Sequence, residues 1–238
     1  MSNERIENNN SHLEVNSRGA LVHELTINGN NVIYPFDGNK RGGVPILGPI
    51  VGAALKGWKN LYPKLPQHGT HRIADWKEIN RDTNSVKYER ITSTKKFLFA
   101  GRVQVSHSLL DNGLKISLKA ENLEDKPREV AHGFHPYFAT NGEKVTFKDE
   151  LFEDMLKGFE NKKSIALKNK TNINEVIFTV NDMEITLNTN TPPHQWVIWS
   201  DDINKYICVE PFWGDVGSGE ILKPREIKEY SLTIQVKK

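Results

Sequence analysis

Along most of the chain, apolar and polar residues alternate in short runs separated by Gly, Asn, Asp and Pro. Such runs include ALVHELTI (20–27), VKYERITS (86–93), KKFLFAGRVQVSHSLL (95–110), LKISLKAENL (114–123) and EVIFTV (175–180). MEITLNT (183–189), QWVIWS (195–200), KYICVEP (205–211) and IKEYSLTIQV (227–236) continue the pattern. A period of two sends successive side chains to opposite faces, so each run predicts a short strand. The connections carry turn chemistry. Asn28-Gly29-Asn30-Asn31, between ALVHELTI and VIYPF, predicts a hairpin, and Asp111-Asn112-Gly113 and Asn181-Asp182 mark further turns.

No segment sustains a helical period over twelve residues. The longest candidate, 150–161, places Leu151, Phe152, Met155, Leu156 and Phe159 at helical spacing and predicts one short helix. The expectation is an all-β fold of antiparallel strands, a large sandwich or a barrel, since no repeat of fixed period suggests a propeller or solenoid. Residues 1–10 are polar and Asn-rich, as in a flexible end or a solvated first strand. No linker divides the rest, so residues 1–238 are read as a single domain.

Composition narrows the function classes. Lys and Arg number 32 against 30 Asp and Glu, a balance too even to indicate a nucleic-acid or membrane surface, so a small or neutral ligand is expected. No run approaches the roughly 18 apolar residues of a membrane span. Cys208 is the only cysteine, which fits a reducing compartment, and a cytoplasmic protein is expected.

Four stretches break the strand rhythm. RGGVPILGPIVG (41–52) sets four glycines and two prolines among apolar residues and predicts a buried, bulged loop. LPQHGTHRIADW (65–76) gathers two His, an Arg and an Asp beside a Trp, a composition suited to sugar hydroxyls or anions. AHGFHPYF (131–138) places two imidazoles among aromatics before a His-Pro turn, and either residue can serve proton transfer or simply sit in the core. In CVEPFWG (208–214), Glu210 lies beside Phe212 and Trp213; an aromatic setting raises a carboxyl pKa and makes a usable base.

In order and approximate spacing, these four stretches resemble the aldose 1-epimerase (mutarotase) family, including its branch acting on hexose 6-phosphates. The likeness spans nearly the whole chain, from the hairpin GALVHELTINGNNVIYP to the strand after Leu222-Lys223-Pro224. It implies a large antiparallel β-sandwich that needs no cofactor or metal and interconverts the α and β anomers of a free or phosphorylated sugar. It further implies that His135 is the general acid toward the ring oxygen and Glu210 the base for the C1 hydroxyl. His68 would bond the sugar near that oxygen, and Arg72 and Arg41 would help hold a phosphate. Trp213, close to Glu210 in CVEPFWG, is read from that aromatic setting as a substrate-binding residue. Where the family has His-Gly-Phe-Ala-Arg, this chain has His68-Gly69-Thr70-His71-Arg72. Where the family places a hydroxyl-binding Asp, Asn174 stands beside Glu175. The chain is also shorter than typical members between Phe138 and Ile173. Two other readings remain open at this point: a sugar-binding sandwich without catalysis, and a metalloenzyme built on the His-x-x-His pairs 68/71 and 132/135 with Glu210. Against the latter, residues three apart on a strand face opposite sides.

Overall fold

A computed structural model of the chain describes residues 3–38, 41–53, 65–92, 100–159, 164–168, 172–214 and 219–238. The N-terminal part folds into β1 (Asn3–Asn8), β2 (Ser11–Asn16), β3 (Leu21–Ile27) and β4 (Asn30–Asn31), a four-stranded antiparallel meander. Then come β5 (Ile46–Leu47), a 3-10 turn (His71–Ile73), β6 (Lys77–Arg81), β7 (Ser85–Ile91), β8 (Gly101–Leu110) and β9 (Gly113–Asn122). The middle holds β10 (Arg128–Val130), β11 (His132–Phe134), β12 (Tyr137–Ala139), β13 (Thr146–Phe147) and helix α1 (Glu150–Phe159). The chain ends with β14 (Ser164–Lys168), β15 (Glu175–Val180), β16 (Met183–Thr189), β17 (Gln195–Trp199), β18 (Tyr206–Trp213), β19 (Glu220–Leu222) and β20 (Ile227–Lys237).

Two sheets form the body of a large antiparallel β-sandwich. One has eight strands, ordered β13-β15-β16-β20-β9-β8-β7-β6; the other runs β14-β17-β18-β11-β5, with β12 also paired to β18. Aromatic pairs join them: Phe138 on β12 meets Phe178 on β15, and Trp213 on β18 meets Tyr230 on β20, each with ring centroids 5.0 Å apart. Burying a side chain of this size contributes about 1.5–3 kcal/mol. On β8 the predicted alternation is complete, every second residue being buried. By contrast, β18 is buried on both faces because the core covers one and the loops of the irregular stretches cover the other.

Residues Asn3–Asn8 pair in full register with β2, and Ile6 enters the core at 4% exposure, so this polar segment forms a first strand. The Asn28-Gly29 turn has both φ angles positive, at 51° and 79°, as a two-residue hairpin requires. VIYPF then leaves its hairpin partner. The Val32 amide still donates to Leu25, but Tyr34 donates to Tyr137, and Pro35 lacks an N–H to continue the ladder. The short helix ends at Phe159, and Asn161 lies outside the described residues, as do residues 95–99 of the KKFLFAGRVQVSHSLL run. Its Phe152 and Met155 are buried, and Phe152 packs on Phe147 and Trp196. Among the described residues, no helix is long and apolar enough to cross a membrane.

The glycine-rich loop anchors the site. The Gly48 carbonyl accepts the Thr70 and His71 amides, at 2.9 and 3.0 Å, and so seats the 3-10 turn that carries Arg72. Gly48 has φ 152°, and a Cβ there would collide with the His71 and His132 rings. We expect Gly48→Ala to destabilise the fold by more than about 2 kcal/mol through clash and backbone strain. Urea unfolding checks this, and an unchanged midpoint would refute the packing argument.

Candidate active site

Strand register builds the site. On β11, His132 pairs with Trp213 and Gly133 with Phe212; on β12, Tyr137 pairs with Cys208. The register is the same on both sides of the gap, so continuing it sets His135 directly opposite Glu210. Pro136 interrupts the ladder there because it has no N–H. The His135 amide donates instead to the Pro45 carbonyl, at 3.1 Å. Directly opposed residues share a face, and His135 Nε2 lies 3.4 Å from Glu210 Oε1. The two residues are 6% and 2% exposed.

Burial governs their protonation. Loss of solvent raises the Glu210 carboxyl well above its ordinary range. The same desolvation, reinforced by electrostatic coupling to His68 and by the Arg72 and Arg41 charges, holds the His135 imidazole well below 6.5. Both groups therefore favour the neutral form. His135 stacks on Tyr137, with centroids 4.7 Å apart and planes 9° from parallel, and the Trp199 ring closes on it edge-on at 5.7 Å.

His68 meets His135 edge-on at 5.7 Å. Its Nδ1 accepts the Gly52 amide at 3.1 Å, which leaves the ring proton on Nε2. Burial, with Arg72 second, lowers its pKa to about 4, so it is a neutral hydrogen-bond donor near neutrality. Arg72 is half-buried, its Nε has no hydrogen-bond partner, and no carboxylate pairs with it among the described residues. Desolvation lowers its pKa below the ordinary value. Arg41, in contrast, is engaged. Its Nε and Nη2 donate to Asp201 Oδ2 at 3.0 and 2.6 Å, and its guanidinium lies 4.8 Å above the Trp199 ring. Tyr206 donates its hydroxyl to the other Asp201 oxygen.

The fold thus brings together His135, Glu210, His68, Arg72 and Arg41. It separates two other candidates from them. Trp213 belongs to the opposite face of β18 from Glu210 and is buried against Phe134 and Tyr230, with its Nε1 donating to Thr191. The aromatic wall is made by Tyr137 and Trp199 instead. Asn174 is exposed at the entry to β15, its carbonyl taken by the Thr189 amide, and no described contact joins it or Glu175 to the site. The His-x-x-His pairs also divide. His71 and His132 stack on each other at 5.6 Å beneath the site, both fully buried, and His132 stacks further on Tyr230. Neither pair converges on one point, so His132 and the extra His71 are scaffold. Tyr137, Trp199 and Asp201 are the residues that motif reading did not single out. Alternation from Glu210, through Cys208 to its partner Trp199, is the signal that reaches the wall.

No curated protein sequence matches the chain. Solved structures resemble it over their full length. A galactose mutarotase related enzyme from Lactobacillus acidophilus is 19% identical, covering 100% of this chain and 98% of its own, with a TM-score of 0.82. The Slr1438 protein from Synechocystis sp. PCC 6803 is 22% identical over 99% and 95%, at 0.81. A galactose mutarotase-like protein from Lactobacillus casei ATCC 334 is 20% identical over 99% and 100%, at 0.78. At such identities the likeness concerns the fold. Residues 4–155 match the family model for aldose 1-epimerase, a segment that includes Arg41, His68, Arg72 and His135 and ends before Glu210. The protein belongs to the aldose 1-epimerase family.

Proposed function

We propose that the chain interconverts the α and β anomers of a hexose or hexose 6-phosphate, with His135 and Glu210 as its proton-transfer pair. The observation that carries this reading is the buried cross-strand contact of 3.4 Å between His135 Nε2 and Glu210 Oε1. Ring opening needs a proton delivered to the ring oxygen as the C1–O5 bond breaks and its electron pair goes to O5. It also needs the C1 hydroxyl proton removed as the O1 electrons form the carbonyl. O5 and O1 share C1, so two groups this close can address both. Rotation about C1–C2 then exposes the other carbonyl face, and the reverse transfers close the ring.

Burial favours a carboxylic acid and a neutral imidazole as the resting pair. An imidazolium and a carboxylate hold the same number of protons. Moving one proton across 3.4 Å therefore makes His135 the acid and Glu210 the base, and the pair titrates as a unit. His68 can donate Nε2–H to a sugar oxygen without changing charge. Arg72, charged and without a carboxylate partner among the described residues, favours a substrate carrying an anion, whereas Arg41 must leave Asp201 to join it.

His135→Ala and Glu210→Gln should each lower the mutarotation rate by about 10²- to 10⁴-fold in polarimetry, with the fold retained. If the unsubstituted chain equilibrates glucose, galactose and glucose 6-phosphate no faster than buffer, it is a binding sandwich instead. The pH profile of kcat/KM should be a bell, because activity needs one proton on the pair. Its acid limb, where a second proton arrives, should lie well below 6.5, and its alkaline limb well above 4.5. A rate rising through a midpoint near 6.5 would instead mark a solvated imidazole. Arg72→Ala should weaken glucose 6-phosphate turnover by more than about tenfold while sparing free glucose, with Arg41→Ala acting in the same direction but less. Equal losses on both sugars would remove the phosphate from the proposal.

A further inference from the structure

The face of β18 that carries Glu210 holds one more side chain able to ligate a metal. Cys208 precedes Glu210 by two residues, so both side chains leave the strand on the same side, and His135 faces Glu210 from the neighbouring strand. His135, Cys208 and Glu210 each present one ligand atom, and these three atoms lie within 4.8 Å of one another. All three residues are buried, at 6%, 0% and 2% exposure, and His135 Nδ1 has no hydrogen-bond partner. Cys208 itself packs among Tyr137 and Tyr206 and has no part in the proton transfers proposed above.

Thiolate, imidazole and carboxylate are ligands that zinc accepts together, with bonds of about 2.0–2.3 Å. Tetrahedral bonds of that length put ligand atoms roughly 3.5 Å apart. The imidazole and carboxylate already stand 3.4 Å apart, and bringing the thiol in from at most 4.8 Å takes a closure of roughly 1 Å. One thiolate and one carboxylate also cancel the charge of a divalent ion, which removes the main penalty for placing it in a buried site. Three protein ligands leave a fourth position for water, as in zinc sites that keep an open coordination place. Softness sets the choice of ion: a sulfur ligand selects zinc-like cations over magnesium or calcium.

We propose that His135, Cys208 and Glu210 form an inhibitory site for a thiophilic divalent cation such as zinc. The inhibition rests on the proton-transfer reading, since an ion that occupies the lone pairs of His135 and Glu210 prevents both from exchanging protons with the sugar. The metal is thus an antagonist of turnover, and mutarotation proceeds in the presence of a chelator.

Two measurements on the full chain test this. Titration with Co²⁺ should produce a thiolate-to-cobalt charge-transfer band, lost in Cys208→Ser and Cys208→Ala. Zn²⁺ should inhibit mutarotation reversibly, with relief by chelator. In both variants the inhibiting Zn²⁺ concentration should rise at least about tenfold while the metal-free rate stays within about twofold, given that even outer partners of a metal site typically contribute 10- to 100-fold in affinity. The absence of a thiolate band in the unsubstituted chain overturns the site, and this needs no variant to fold. Equal Zn²⁺ sensitivity with and without Cys208 overturns it as well. A thiolate band accompanied by undiminished mutarotation supports the metal site and instead overturns the pairing of His135 and Glu210 as acid and base.

Discussion

The antiparallel register of β18 against β11 and β12 is the constraint on which the site depends. It continues unchanged across the His-Pro interruption, and so it places an imidazole and a carboxyl face to face without any loop having to position them. The same strand pairs with β17 on its other edge, which sets Trp199 opposite Cys208 and gives the site its aromatic side. Because successive residues of β18 alternate, its other face is committed to the core through Val209 and Trp213. A slip of one residue would exchange the two sets, turning Glu210 into the core and Trp213 toward His135.

Burial and charge then form layers around that pair. Beneath it, His71 and His132 stack as neutral rings, with Arg90 bonded to the Thr70 carbonyl and approaching His71 Nδ1 at 3.3 Å. At its level, desolvation keeps His135 and Glu210 neutral, and so the low dielectric does not have to hold an ion pair at rest. Above it lie the two arginines, one tied to Asp201 and one without a carboxylate partner among the described residues. The same low dielectric makes the pair responsive. A proton relocated by a sugar hydroxyl creates charges that interact far more strongly than they would in water. The soft-cation site proposed above adds Cys208, which lies on the same face of β18 as Glu210.

The fold was legible because its evidence is local and repeated. Period-two runs, turn dipeptides and the lack of sustained helical spacing each indicate antiparallel strands, and they agree along the chain. His135, Glu210, His68, Arg72 and Arg41 were legible for another reason: each stands in a stretch too rich in Gly, Pro or aromatic residues to be an ordinary strand interior. Trp213 shows where motif reading stops. Closeness to Glu210 in the sequence suggested a shared site, but residues three apart along a strand point to opposite faces, and two positions away was the better guide. Asn174 was placed by likeness of sequence pattern, which carries no information about where the side chain points.

By itself, the sequence determined the strands, their turns, the single short helix and the chemistry present in the four irregular stretches, since all of these depend on nearest neighbours. Only the tertiary structure decided which of those groups meet. Cross-strand register separates His135 from His132, while the loop after β17 gives Arg41 an acidic partner and, among the described residues, Arg72 has no carboxylate partner. Register also replaces Trp213 by Trp199 and Tyr137 as the wall. Pairing between residues far apart in the chain is set by how the sheets pack their apolar faces, a property of the whole fold that no single stretch encodes.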